Sequence, residues 1–245
     1  MTLTKTLTKT KTKTKTNSTQ STEFPSSFHD VTLLTYLELP QFCRASEWQQ
    51  IEIGPVPGPE RTADELNTLL ELQGDRGSDD DRRKNAEERR LRRPEIELEA
   101  SNDPPYFQRI LLFGNQSNTY ILMQAMSLVG GIVAAHYKFK FNRARPSQLE
   151  PALRPIIDVP GHPAYPSGHS VQMFLIAQAL GTVVRNHEIA NQLTLIAERV
   201  AKNREWAGLH YGSDTHAGRK LAYAIFPFVE IAYKDLFKGA AREWL

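Results

Sequence analysis

The sequence predicts an all-α helical bundle, and three observations carry that prediction. Apolar segments recur at roughly 105–113, 119–137, 168–185, 187–207 and 214–237, with apolar residues at the three- and four-residue spacing of a helix face. Strand signals are weak, since the chain holds no Asn-Gly or Asp-Gly turn and no series of short alternating runs. At 245 residues the chain is long enough for one sizeable core or two small ones. No internal repeat relates the segments.

Taken in order, residues 1–30 read as a disordered low-complexity tail, because Thr alternating with Lys or Leu offers no apolar face to bury. Residues 31–100 read as an irregular and partly helical extension. Pro40, Pro55, Pro57 and Pro59 break its first half into short pieces lying over a helical body. Thr62-Ala-Asp-Glu65 has the spacing of a capping box, and Leu66, Leu69, Leu70 and Gln73 continue at helical spacing to an expected end near Gly74. Segment 79–99 is a charge run with Leu91 as its one large apolar residue before Pro94, which reads as a solvated helix or linker. Residues 101–238 are the expected catalytic bundle.

Charge and cysteine usage narrow the function classes. The chain has 30 Lys and Arg against 28 Asp and Glu, but five of the lysines lie in residues 1–16, so the remainder is at −3. A body of that charge is a poor nucleic-acid binder, which needs a basic face. The lone Cys43 excludes an internal disulfide framework and any Cys-x-x-Cys metal knuckle. The N-terminus lacks the apolar core of a signal peptide. The best apolar run, Tyr120–Ala135, is sixteen residues and includes Gln124, Ser127 and two glycines, short of the roughly 18–20 that span a bilayer. These features predict no transmembrane segment and a soluble, cytoplasmic protein.

Three clusters carry chemistry. Lys138 and Arg145-Pro146 follow the apolar 119–137 segment and supply a point charge and a planar donor fork suited to oxyanion oxygens. Pro166-Ser167-Gly168-His169 opens the next helix, where free backbone N–H groups and the positive dipole end meet an anion, with His169 in the first turn. Arg204, His210 and Asp214 make the third. A four-residue spacing sets the carboxylate beside the imidazole, where it fixes the tautomer and leaves the other ring nitrogen as nucleophile or metal ligand. Lys140 and Arg143 are expected to extend the positive field, Trp206 and Tyr211 to pack, and His136, His187 and His216 to hold surface or structural roles. His162 stands apart in the run His-Pro-x-Tyr-Pro-Ser-Gly-His.

Lys138-x6-Arg145-Pro146, Pro166-Ser-Gly-His169 and Arg204-x5-His210-x3-Asp214 together resemble the three-part signature of the type 2 phosphatidic acid phosphatase and vanadium haloperoxidase superfamily. The match covers 138–214 directly and leaves residues 1–100 unexplained. Asn203 stands where the family usually has Ser. The resemblance implies a helical bundle of the acid phosphatase and haloperoxidase type, gripping an oxyanion through Lys138, Arg145 and Arg204 with the N–H groups of Ser167 and Gly168, two residues that equally suit the geometry of a helix start. It further implies that His210 attacks phosphorus to form a phosphohistidine, Asp214 orients it, and His169 protonates the leaving oxygen.

Two enzymes share this signature. The length resembles the compact acid phosphatases, which implies a metal-independent phosphomonoester hydrolase with no cofactor. The alternative is a vanadium haloperoxidase, with halide and hydrogen peroxide as substrates, vanadate as cofactor and His210 coordinating vanadium. The His162 segment and the Lys138–Phe139 pair are similar to that branch. A scaffold that kept the fold for anion binding alone would have no need of the His210–Asp214 pair. Nothing in the sequence sets the oligomeric state.

Overall fold

The computed structural model describes residues 31–77 and 118–245. The tail, the charge run at 79–99 and the apolar segment at 105–113 lie outside those residues. In chain order the elements are α1 (Val31–Tyr36), α2 (Leu39–Arg44), a 3₁₀ turn (Ser46–Gln50), α3 (Pro59–Gly77), α4 (Asn118–Phe141), α5 (Pro146–Leu149), α6 (Gly168–Val184), α7 (His187–Trp206), α8 (Gly212–Ala232) and α9 (Lys234–Arg242). No strand occurs among the described residues.

Helix α6 is the axis of the bundle. Val171, Phe174, Leu175, Ile176, Ala179 and Leu180 point in several directions and are all buried, as expected of a helix apolar all round. Helices α4, α7, α8 and α9 pack around it. Two glycines permit the closest approaches. A Cβ on Gly130 of α4 would lie 2.9 Å from the Gln172 Cα, and one on Gly218 of α8 would lie 2.7 Å from the Ser167 carbonyl oxygen. The second contact presses α8 against the start of α6, where the three-part signature converges.

Local chemistry sets the helix ends. The Ser167 hydroxyl accepts from Ser170 N at 3.4 Å to cap α6. Arg185 ends that helix in the left-handed region (φ 52°), and Asn186 then caps α7 by accepting from Glu188 and Ile189 N. The apolar segment expected at 214–237 forms two helices rather than one. The chain turns at Tyr233, which is 1% exposed, so that Phe237 and Ala240 of α9 fold back into the core. Glu243 fastens this return by accepting four hydrogen bonds from the start of α4, two from Asn118 and two from Thr119.

Helix α4 runs on past the sixteen-residue apolar stretch at both ends. The segment Asn118–Leu149 is long and apolar enough, by length and composition, to cross a membrane, contrary to the expectation from run length. Within the bundle 61% of its most apolar window is buried.

The N-terminal extension is part of this body. Phe42, Trp48 and Ile53 belong to the main core, and the Tyr137 hydroxyl donates to the Trp48 and Ile51 carbonyls at 2.8 and 2.9 Å. Helix α3 seats Leu69 against Leu153, Ala164 and Tyr211. Its capping box does not form. The helix starts three residues earlier, at Pro59, and runs past Gly74 to Gly77; Thr62 Oγ1 donates back to the Pro57 carbonyl. Glu65 is released for other partners.

Candidate active site

The end of α4, the loop after α5, the start of α6 and the turn between α7 and α8 enclose a cavity of about 380 Å³. Lys138, Arg145, Gly168, His169, Arg204 and His210 all line it, with His162 and Phe139 at its edge and no carboxylate among its described lining residues. Residues of three sequence clusters, up to 72 positions apart, thus meet at one space. Among the described residues no group of three or more His, Cys, Asp or Glu is placed to hold a metal ion.

The cations are deeply set. Lys138, Arg145 and Arg204 are 4%, 2% and 3% exposed. Lys138 Nζ donates to the Pro163 and Ala164 carbonyls at 2.7 and 3.0 Å. Arg145 Nε donates to the His162 carbonyl and Nη1 to the Leu209 carbonyl, at 2.9 and 2.8 Å. Burial, then the charge of Arg145, brings the Lys138 ammonium down to about 7, against the pull of Asp214. Burial likewise brings Arg145 down to about 10. Buried positive charges without facing carboxylates favour an anion in the space between them.

His210 presents a defined tautomer. Arg145 Nη1 lies 3.0 Å from His210 Nε2, and a guanidinium has no acceptor, so Nε2 carries the lone pair. Nδ1 then donates to Asp214 Oδ2 at 3.1 Å. Burial, followed by Lys138, Arg145, Arg204 and His169, holds the imidazole well below its ordinary value, so it is neutral at pH 7. Burial pushes the Asp214 carboxyl up to about 6, opposed by Arg143 and by the Tyr211 N–H that donates to Oδ2 at 3.1 Å. His162 Nδ1 accepts from Arg145 Nη2 at 3.0 Å, and burial with Lys138 lowers that imidazole too.

Of the two roles open to Ser167, oxyanion contact and helix-start geometry, the structure shows the second, and one expectation, that for Arg143, is corrected. The Ser167 N–H donates to the Asp214 carbonyl at 3.0 Å and Ser167 is wholly buried. Its role is to cap α6 and tie that helix to α8, which leaves Gly168, at the first position of α6, to present backbone to the cavity. Arg143 was expected to extend the positive field. It is 6% exposed and turned away, with Nη1 on Asp214 Oδ1 at 2.7 Å and on Ser213 Oγ at 2.7 Å, and Nη2 on Glu65 Oε2 at 2.9 Å. Its guanidinium lies 3.6 Å over the Tyr211 ring. Lys140 is exposed, 5.6 Å from the Tyr137 ring centroid.

Glu65 is the residue that sequence reasoning missed. Besides Arg143 it accepts from Ser213 N at 2.7 Å and Ser213 Oγ at 2.8 Å. Its spacing from Thr62 read as local capping, and nothing in the sequence joins it to a partner 78 positions on.

The family described as the PAP2 superfamily matches residues 119–237, a span that holds every cavity cation and the His210–Asp214 pair. No curated protein matches significantly. Among solved structures the chain is similar to a protein titled the first transmembrane PAP2 type phosphatidylglycerolphosphate phosphatase from Bacillus subtilis, at 14% identity and a TM-score of 0.50, covering 84% of this chain and 96% of that one. That likeness is one of fold, and it agrees with the helical architecture described above. With the matched span holding the converged signature, residues 119–237 of this chain form a PAP2 superfamily region.

Proposed function

We propose that the protein is a phosphomonoester hydrolase that works through a phosphohistidine on His210. The observation that carries the proposal is the His210 ring, neutral, with Asp214 on Nδ1 and Nε2 turned to a cavity lined by Lys138, Arg145 and Arg204. The PAP2 superfamily region supports a phosphatase-type activity.

The arrangement accounts for each step. A phosphate monoester entering the cavity takes over donors of Lys138, Arg145 and Arg204 through its non-bridging oxygens. As Arg145 Nη1 turns to phosphate it releases the His210 lone pair. Nε2 then forms a bond to phosphorus while the ester P–O bond breaks, and His169 gives its proton to the departing oxygen. Nδ1–H stays on Asp214, whose charge stabilises the phosphoimidazolium. Water next attacks phosphorus, His169 takes its proton back, and the N–P bond breaks to release phosphate and free His210. Such transfer needs positioning and charge stabilisation above all, and each donor aimed at the developing charge is worth about 3–4 kcal/mol.

Vanadate would be held by the same residues, Lys138, Arg145 and Arg204, with His210 as the residue to coordinate it. When bound, that group supplies peroxide activation for halide oxidation. His162 at the cavity edge, joined to Arg145, is the observation that favours this second reading.

One preparation tests both. Hydrolysis of p-nitrophenyl phosphate in chelator is expected, with a base-stable, acid-labile phosphoenzyme in rapid-quench samples. His210→Ala should abolish both with the helical spectrum unchanged, and His169→Ala should lower turnover by about 10²–10⁴, least with good leaving groups. Wild-type turnover in His210→Ala refutes the nucleophile assignment. Robust bromination after vanadate loading that vanishes in His162→Ala, with negligible ester hydrolysis, selects the second reading.

A further inference from the structure

We propose that Glu65 is a positioning residue of this active site, acting on His210 through Arg143 and Asp214; the inference rests on His210 being the nucleophile. Glu65 stands on α3, outside the span matched by the superfamily, yet a continuous chain of contacts leads from it to the imidazole. Glu65 Oε2 accepts from Arg143 Nη2 at 2.9 Å, Arg143 Nη1 donates to Asp214 Oδ1 at 2.7 Å, and Asp214 Oδ2 accepts from His210 Nδ1 at 3.1 Å.

The geometry shows why the outermost carboxylate matters. A buried guanidinium with Asp214 as its one carboxylate would turn fully onto it and draw charge away from the oxygen that serves His210. Glu65 divides the fork, so one Nη faces each carboxylate. The Tyr211 ring, 3.6 Å below, keeps the guanidinium in that plane. Glu65 also grips the residue next to Asp214. It accepts from Ser213 N at 2.7 Å and Ser213 Oγ at 2.8 Å, at the positive end of α8. The Asp214 carboxylate is therefore fixed through its cation and through its own chain neighbour, and both fixings end on Glu65. With Oδ2 also accepting from Tyr211 N, the oxygen facing His210 has one orientation. Helix α3 is thus part of the catalytic unit.

The test compares Glu65→Ala, Glu65→Gln and Glu65→Asp with Gln73→Ala in the full chain. Gln73 makes a separate tie of α3 to the body, Nε2 donating to the Ala152 carbonyl at 2.9 Å, away from the network. Glu65→Ala is expected to lower kcat about 10–100-fold, as loss of an outer orienting partner does, with KM within about twofold. Glu65→Asp should recover part of the loss, and Gln73→Ala should keep wild-type turnover. In an Asp214→Asn background Glu65→Ala should cost less than about twofold more, because the two act through one path. The downfield Nδ1–H proton resonance of His210, identified by its loss in His210→Ala, should move or broaden in Glu65→Gln and stay in place in Gln73→Ala. An equal loss with and without Asp214, or an unmoved resonance in Glu65→Gln, would show that Glu65 merely docks α3. Turnover surviving in His210→Ala would instead overturn the nucleophile, and the resonance still judges Glu65 on its own.

Discussion

Binding of a doubly charged oxyanion should draw a proton onto Lys138. Burial and Arg145 bring its ammonium down to about 7 in the ligand-free cavity. At pH 8 only about a tenth of the molecules then carry the charge, whereas a dianion seated between Lys138, Arg145 and Arg204 returns the group toward its ordinary value. Sulfate binding at pH 8 should therefore take up about 0.9 proton, falling to about 0.1 at pH 6, where Lys138 is already charged. The affinity should weaken by about tenfold per pH unit above pH 7, the slope that one linked proton requires. Sulfate is the right probe because it does not titrate in this range. Titration calorimetry in Tris and in HEPES, whose ionisation heats differ, gives the proton number from the difference in observed heat. His162 and His210 both sit below their ordinary values and stay neutral at pH 8 before binding. A Lys138→Met variant separates them, since it should bind sulfate weakly and without proton uptake. Zero uptake at pH 8 in the wild type, or full uptake in Lys138→Met, would refute the reading of Lys138 as a buried cation awaiting an anion.

The same geometry sets further outcomes. Asp214→Asn should lower kcat by about 10²–10⁴ with native circular dichroism, because the amide no longer fixes and stabilises the His210 ring. In the wild type kcat/KM should fall with decreasing pH through about 6, where Asp214 takes up a proton. Gly218→Ala places a Cβ 2.7 Å from the Ser167 carbonyl oxygen and the Ser170 Cβ. It should cost about 1–3 kcal/mol in urea unfolding and also lower turnover, since the start of α6 must move. Glu243→Ala removes the four hydrogen bonds at the start of α4 and should cost about 1 kcal/mol, the usual worth of an N-cap at a solvent-facing site. Burial alone would raise the Glu243 carboxyl, but the bonds from Thr119 and Asn118 bring it below its ordinary value. A depressed carboxyl stabilises above the unfolded pKa and loses that contribution as pH falls through the folded one, so the difference between wild type and variant should close in acid.

The cavity was legible in the sequence because its residues lie in short fixed spacings at helix ends. Lys138 and Arg145 bracket the end of α4, Gly168 and His169 open α6, and His210 and Asp214 flank the start of α8. Each spacing survives as local geometry, so converging helices suffice to bring the sets together. What escaped were the long-range partners. Glu65 and Arg143 are 78 positions apart, and both had a sufficient local explanation, a capping box for one and a surface field for the other. The choice between the two roles of Ser167 was hidden for a related reason. A helix start does leave N–H groups open, but Gly218 lets α8 approach so closely that the Asp214 carbonyl takes the one on Ser167. The extra reach of α4 was hidden because Thr119 and His136 end the apolar run without ending the helix.

In the proposed reaction, the two sides of His210 explain how a site so rich in positive charge keeps a usable nucleophile. On the cavity side Lys138, Arg145 and Arg204 disfavour a proton on the ring, which holds the lone pair available on Nε2. On the far side Asp214 would by itself favour the imidazolium, so that the ring it is meant to orient would take up a proton from solvent. Arg143 moderates it by taking Oδ1 at 2.7 Å, leaving Oδ2 to hold Nδ1–H without drawing a second proton onto the ring. Bound phosphate then reverses the balance. Once its negative charge offsets the three cavity cations, the ring can bear the positive charge that bonding to phosphorus creates, and Asp214 stabilises it where it forms. The proposed mechanism thereby acquires a fixed order: the nucleophile becomes tolerant of positive charge only after the phosphoryl group that will supply it has arrived.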